Sequence, residues 1–119
     1  MPNHPESFHE RGFRFATDVV RFYSRLIETP RMPLHIAWQV LRSGTSIGAN
    51  LEEAKGAQSR RDAAAKFSIA LKEARETHYW LRLIQVTGLA PADAVAPILR
   101  EANELTAILT VARRKLNTG

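Results

Sequence analysis

The 119 residues suffice for one domain with a single core, one that buries roughly two thirds of the surface an unfolded chain exposes. Hydrophobic residues at 45% and charged residues at 24% are ordinary for a globular chain and argue against disorder. The lack of cysteine excludes disulfides, thiolate metal ligands and a cysteine nucleophile, while a net charge of +5 and a pI near 10.2 favour acidic partners, nucleic acid first.

The opening MPNHPESFHERG has no apolar segment, and the apolar runs elsewhere are short. The expectation is a cytoplasmic chain with neither secretory signal nor membrane anchor. Residues 1–7, with Pro2 and Pro5, read as a frayed lead-in. From Phe8 to about Glu28 the positions Phe8, Phe15, Val19, Phe22 and Leu26 recur at helical spacing, with Ala16, Val20, Tyr23 and Ile27 alongside, which predicts a first helix with a broad apolar face. Thr29-Pro30 and Met32-Pro33 end it and open the next, because proline disfavours helix in the residue before it yet suits a first helical position. So short a linker makes the two helices antiparallel neighbours.

The second predicted helix runs from about Pro33 to Gly56 and carries the most unusual residue choices in the chain. In RSGTSIGANLEEAKGAQ, residues 42–58, the small residues Ser43, Gly44, Gly48 and Ala49 join Ile47, Leu51 and Ala54 in an apolar, glycine-lined stripe. Glycine costs a helix interior about 1 kcal/mol relative to alanine, so two of them four residues apart imply close approach of another helix backbone. Arg42, Asn50, Glu52, Glu53 and Lys55 interrupt the segment too often for a bilayer span. Ser46, Asn50 and Glu53 share a polar edge beside the stripe, read as a hydrogen-bonded structural cluster that fixes helix register, with a ligand or nucleic-acid contact as the alternative. Trp38 can reach solvent or a partner chain.

Ser59-Arg60-Arg61-Asp62 has the form of a capping box, and a third helix follows it to about Thr87. Ala63, Phe67, Ala70, Ala74, Thr77, Leu81 and Ile84 lie on one of its faces, flanked by Ile69, Leu71, Trp80 and Leu83. Gly88 stops it and Pro91 opens a fourth helix with Val95, Ile98, Leu99, Ala102, Leu105, Ile108, Leu109, Ala112 and Leu116 as its apolar repeat. Four helices with short connections and no alternating strand pattern give an all-α, antiparallel up-down-up-down four-helix bundle.

Catalytic motifs are missing. GTSIG lacks the GK[ST] ending of a phosphate loop. Only Glu6 and His9 have the Glu-x-x-His spacing of a bundle metal site, without a twin, and Glu73, Glu76, Glu101 and Glu104 read as exposed ion-pair partners of Lys72, Arg75 and Arg100. His4, His9, His35 and His78 are scattered without a serine or carboxylate at triad spacing. The reading is therefore of a non-enzyme with no cofactor and no metal.

The cations are better organised. Arg11, Arg14, Arg21 and Arg25 share a face of the first helix, partly neutralised by Asp18 and Glu28. Arg42, Lys55, Arg60, Arg61 and Lys66 gather around the turn between helices two and three. As a functional reading, Arg11, Arg14, Arg21, Arg25, Arg42, Arg60 and Arg61 are candidate phosphate contacts, which would bind by counterion release and weaken steeply with salt. The alternative is a solvated helix face. Arg113, Arg114 and Lys115 suit a helix C-terminus, where cations oppose the macrodipole. Trp38, Tyr79 and Trp80 could stack on unpaired bases but are read first as candidate subunit contacts.

Residues 43–85 resemble the four-helix bundle family named for proteins encoded by intervening sequences in bacterial 23S ribosomal RNA genes. The matching pattern is Ser46-Ile47, Asn50, Glu53-Ala54, Ser59, Phe67, Ala70, Lys72-Glu73-Ala74, Glu76 and Tyr79-Trp80-Leu81. One departure is Ala65, in the alanine run 63–65, where a bulkier residue is expected nearby. The resemblance implies a small antiparallel bundle that assembles into homopentamers. A related branch, the accessory proteins of diversity-generating retroelements, implies a basic pentamer that binds nucleic acid and a reverse transcriptase. On this basis the chain is expected to be a bacterial, cytoplasmic homo-oligomer with RNA, DNA or a protein partner and no membrane association. A structural or adaptor ring that holds a protein partner, its basic charge incidental, is the alternative.

Overall fold

The computed structural model describes residues 7–118, with the Thr118 side chain left aside, and consists of four helices: α1 (Phe8–Leu26), α2 (Leu34–Lys55), α3 (Arg60–Thr87) and α4 (Ala92–Thr118). The lead-in expected over residues 1–7, His4, and the Glu6–His9 pair through its glutamate lie largely outside the described residues. α1 and α3 begin where a serine hydroxyl satisfies one of the free N–H groups, whereas α2 opens at Pro33 without a side-chain cap. The Ser7 hydroxyl accepts from the Glu10 N–H at 3.1 Å, and the Ser59 hydroxyl accepts from the Asp62 N–H at 3.0 Å while the Asp62 carboxylate takes the Gln58 N–H at 3.3 Å. Ends are equally local. Gly88 turns α3 off in the left-handed region at φ 67°, as only glycine does without strain. Between α1 and α2 that same region is occupied by Arg31 at φ 69°, a side chain that sequence punctuation by Pro30 and Pro33 gave no reason to place there.

The helices run antiparallel in sequence order. Gly12 meets Gly48 across α1 and α2, Ser43 meets Thr77 and Glu53 meets Lys66 across α2 and α3, and Arg60 meets Leu116 across α3 and α4. The core is a continuous cluster with Phe15, Phe22 and Leu26 of α1, Ile47 and Leu51 of α2, Leu71, Leu81 and Ile84 of α3, and Leu105 and Leu109 of α4 all sealed from solvent. The apolar repeat carries α4 straight through Pro97, which lies exposed within the helix.

The glycine stripe has the use expected of it, and a third glycine takes part. A Cβ on Gly48 would lie 2.9 Å from the Gly12 carbonyl oxygen, and one on Gly12 would lie 3.1 Å from the Gly48 Cα. Gly44 instead admits the side chain of Val19. Ala49, expected on this stripe, is exposed, because the crossing turns the helix so that position 48 rather than 49 faces α1. Val20, Ile27 and Phe8, expected on the packed side of α1, are also exposed, since the core needs only the narrower stripe from Phe15 to Leu26.

α1 lies along α2 and touches α4 at few points, so the seam that would close the bundle is partly open. The molecule is accordingly broad and thin, 48 × 36 × 20 Å.

Candidate nucleic-acid interface

The seven candidate arginines divide into those that hold the bundle together and those that remain available. Arg11 projects from the first turns of α1 toward α4. Its Nε and Nη2 donate to the two carboxylate oxygens of Glu101 at 2.7 and 2.9 Å, and Nη2 also donates to Glu104 at 2.6 Å. Arg14 adds a longer contact to Glu101 at 3.5 Å. The fork-on-carboxylate geometry suits a guanidinium. The Arg11 hydrogen bonds hold the Glu101 carboxyl below its ordinary range against the opposing effect of burial, and Arg11 is held still more firmly protonated. Arg11 thus serves as the clasp across the α1–α4 seam.

Arg42 is a second clasp, across α2 and α3. It donates to Gln39 at 2.9 Å, to Glu73 at 3.0 Å and to Glu76. The Trp80 indole N–H also donates to Glu76, at 3.1 Å. Burial alone would raise the Glu76 carboxyl, but the Trp80 and Arg42 hydrogen bonds outweigh it and leave the group below its usual value. Beneath this layer the Thr77 hydroxyl donates to Ser43 at 2.9 Å, and both are fully buried. These contacts correct the reading of Glu73, Glu76, Glu101 and Glu104 as exposed partners of neighbouring cations: Glu73 is 7% exposed, and Glu73, Glu76 and Glu101 are bound across helices. Position alone pointed that way for Glu73, which falls in the buried series Ala70, Glu73, Thr77.

Arg60 caps α4, donating through Nε to the Leu116 carbonyl at 3.0 Å and through Nη2 to the Lys115 carbonyl at 2.9 Å. Arg21, Arg25 and Arg61 are exposed and make no ion pair among the described residues. Arg14, Arg21 and Arg25 line one side of a groove of about 500 Å³ between α1 and α4, with Phe15, Phe22 and Ile98 below. Asp18, Asp93 and Glu101 line it too, so the groove has both signs of charge.

The polar edge of α2 is built locally. The Asn50 amide donates to the Ser46 carbonyl and hydroxyl at 2.9 and 3.2 Å, and Glu53 pairs with Lys66 at 2.7 Å. Ser46 and Asn50 are half-buried and Glu53 is exposed, so the fully buried polar bridge between α2 and α3 is Ser43–Thr77 instead. Among the aromatic candidates, Tyr79 and Trp80 meet edge to face at 5.1 Å, and His35 reaches Trp80 at 6.2 Å. Trp38, one turn from His35, is about half exposed, as is Tyr79.

Among the described residues no group of three or more histidines and carboxylates converges on a possible metal position, and no helix is long and apolar enough to cross a membrane. The fold and these surfaces define a helical bundle bound together by interhelical ion pairs, with exposed cations and aromatics outside its core. The model of the 23S rRNA-intervening sequence protein family matches residues 7–111, and the chain belongs to that family. A crystal structure from Bacteroides thetaiotaomicron, of a protein with unknown function from the S23 ribosomal protein family, is 36% identical, covering 90% of this chain and 98% of that one with a TM-score of 0.82. A comparison with curated proteins found no match.

Proposed function

We propose that this protein is a non-enzymatic homo-oligomer, pentameric by family resemblance, that binds nucleic acid or a ribonucleoprotein in the bacterial cytoplasm through its basic surface. The observation that carries this reading is the set of exposed cations left over once the bundle's own ion pairs are made. Arg21, Arg25 and Arg61 have no carboxylate partner among the described residues, on a chain of net charge +5. Such cations bind phosphates by releasing counterions, independently of sequence. The family's name, which refers to a 23S rRNA intervening sequence, makes structured RNA the first partner to test.

The test is fluorescence anisotropy of labelled structured RNA, single-stranded DNA and duplex DNA across a salt series, with mass measured on the same sample by light scattering. Affinity should fall linearly in log–log with salt, and Arg21→Glu with Arg25→Glu should reduce it about tenfold or more at low salt. Lack of binding at low salt overturns the nucleic-acid reading. A specific observation favours the alternative, an adaptor ring: the large side chains Phe13, Leu34, Trp38 and Val86 are each more than half exposed, a surplus of apolar surface suited to protein contacts.

A further inference from the structure

At the opposite end of the α1–α4 seam from the arginine groove lies a second groove of about 800 Å³, bounded by the start of α1, the end of α2, the start of α3 and the end of α4. Its floor is buried and apolar, formed by Ala54, Phe67 and Ala112, and its rim includes the exposed side chains of Phe8 and Val111. Every charge on it is positive. Lys55 and Lys115 line it, both exposed and without an ion pair among the described residues, and no carboxylate does. The negative end of the α4 dipole is also neutralised there, since Arg60 takes up the Lys115 and Leu116 carbonyls.

We propose that this groove docks an amphipathic helix of a partner protein, apolar on one face and acidic along its edges. Three observations select that occupant. The alanines Ala54 and Ala112 of the floor, on either side of the Phe67 ring, allow the backbone of a helix to approach closely, and the sparse contact between α1 and α4 leaves open the seam where such a helix would lie. The floor offers no donors to phosphate, which disfavours nucleic acid. A second copy is disfavoured by charge: this chain's own exposed apolar stripe, Phe13 and Val20 of α1 with its C-cap residue Ile27, runs beside Arg14 and Arg21 and would set cations against Lys55 and Lys115.

The probe is a fluorescein-labelled synthetic peptide of ~18 residues with leucines at i, i+3, i+4 and i+7 and glutamates on the flanks, paired with a version in which lysine replaces each glutamate. Titrated against the full chain, the acidic peptide should bind at least about tenfold more tightly than the basic one. Val111→Arg should weaken the acidic peptide about tenfold although it adds a cation, because it fills the groove, and Lys55→Glu with Lys115→Glu should reverse the preference between peptides. Val111 is about half exposed, so the variant keeps its fold, checked by circular dichroism. Equal binding of both peptides, no binding, or indifference to Val111→Arg overturns the proposal. So does a fall in molar mass of Val111→Arg with peptide binding unchanged, which assigns the groove to a second copy. Binding that emerges only when residues 1–6 are removed overturns it in favour of the chain's own N-terminal segment, and displacement of the peptide by RNA overturns it in favour of nucleic acid.

Discussion

Gly48 is the residue on which the α1–α2 crossing depends, and its replacement sets two physical effects against each other. Alanine gains about 1 kcal/mol in helix propensity. Against this, its Cβ would sit 2.9 Å from the Gly12 carbonyl oxygen, a backbone atom that cannot swing aside, so the two helices must separate. Overpacking of this kind costs about 1–3 kcal/mol, and because backbone rather than a side-chain tip is struck, the larger effect should win. Gly48→Ala is expected to lose about 1–2 kcal/mol in urea unfolding. Gly56→Ala is the control, since the nearest atom to its added Cβ is 3.9 Å away. That variant should be neutral or slightly more stable, and equal losses from both would remove the close crossing as the cause. At Arg31 the sign is opposite. Its left-handed backbone costs an L-residue about 1 kcal/mol, so Arg31→Gly should leave stability unchanged or raise it by a few tenths of a kcal/mol.

Among elements, the weakest packing is that of α1 on α4, and the Arg11–Glu101 clasp compensates for it. Replacing Glu101 with Gln removes the charge from hydrogen bonds worth about 1–3 kcal/mol, and a thermal midpoint lower than that of the unmodified chain at neutral pH is expected. The pH dependence has a definite sign. Glu101 is depressed in the folded chain, so the unfolded chain binds more protons as pH falls, and the clasp's stabilisation is complete above the ordinary carboxylate value of about 4.3 and is lost as pH drops through the folded one. Thermal unfolding between pH 7 and pH 3 should therefore show a steeper acid loss for the unmodified chain than for Glu101→Gln. Parallel curves would mean that another carboxylate governs acid stability. Much of this level was legible in the sequence: the four helices, their caps at Ser59 and Gly88, and the glycine crossing all follow from spacing and local backbone chemistry. The two clasps were not, because Arg11 and Glu101 are joined only through tertiary structure, and their helix-surface positions look like those of any solvated pair. Gly12 had a signal that could have been read, falling between Phe8 and Phe15 at helical spacing on the packed face of α1.

For the whole molecule, the exposed apolar residues have an order that a monomer does not need. Phe13 and Val20 of α1 and its C-cap residue Ile27 repeat every seven residues in helical backbone, which places them on one face, and they are 74%, 48% and 45% exposed. Leu34 and Trp38, 66% and 51% exposed, stand one turn apart at the start of α2, just across the short connection from Ile27. Because α1 and α2 are antiparallel and cross at Gly12 and Gly48, the stripe runs from Phe13 near the crossing to Leu34 and Trp38 at the connection. A stable interface needs about 800 Å² from each partner with aromatic and aliphatic anchors at its centre, and this face supplies both kinds of anchor. If the homo-oligomer proposed above forms through it, Phe13→Asp with Leu34→Asp should lower the mass seen by light scattering to that of the monomer at micromolar concentration while leaving the helical circular dichroism unchanged. Neither side chain belongs to the sealed core, so loss of the fold would not explain such a result. An oligomer that survives both substitutions would move the interface to α3, where Ile69, Tyr79 and Val86 are the large exposed apolar residues, and the corresponding charge substitution at Val86, the most exposed of the three, would then be the one to break it.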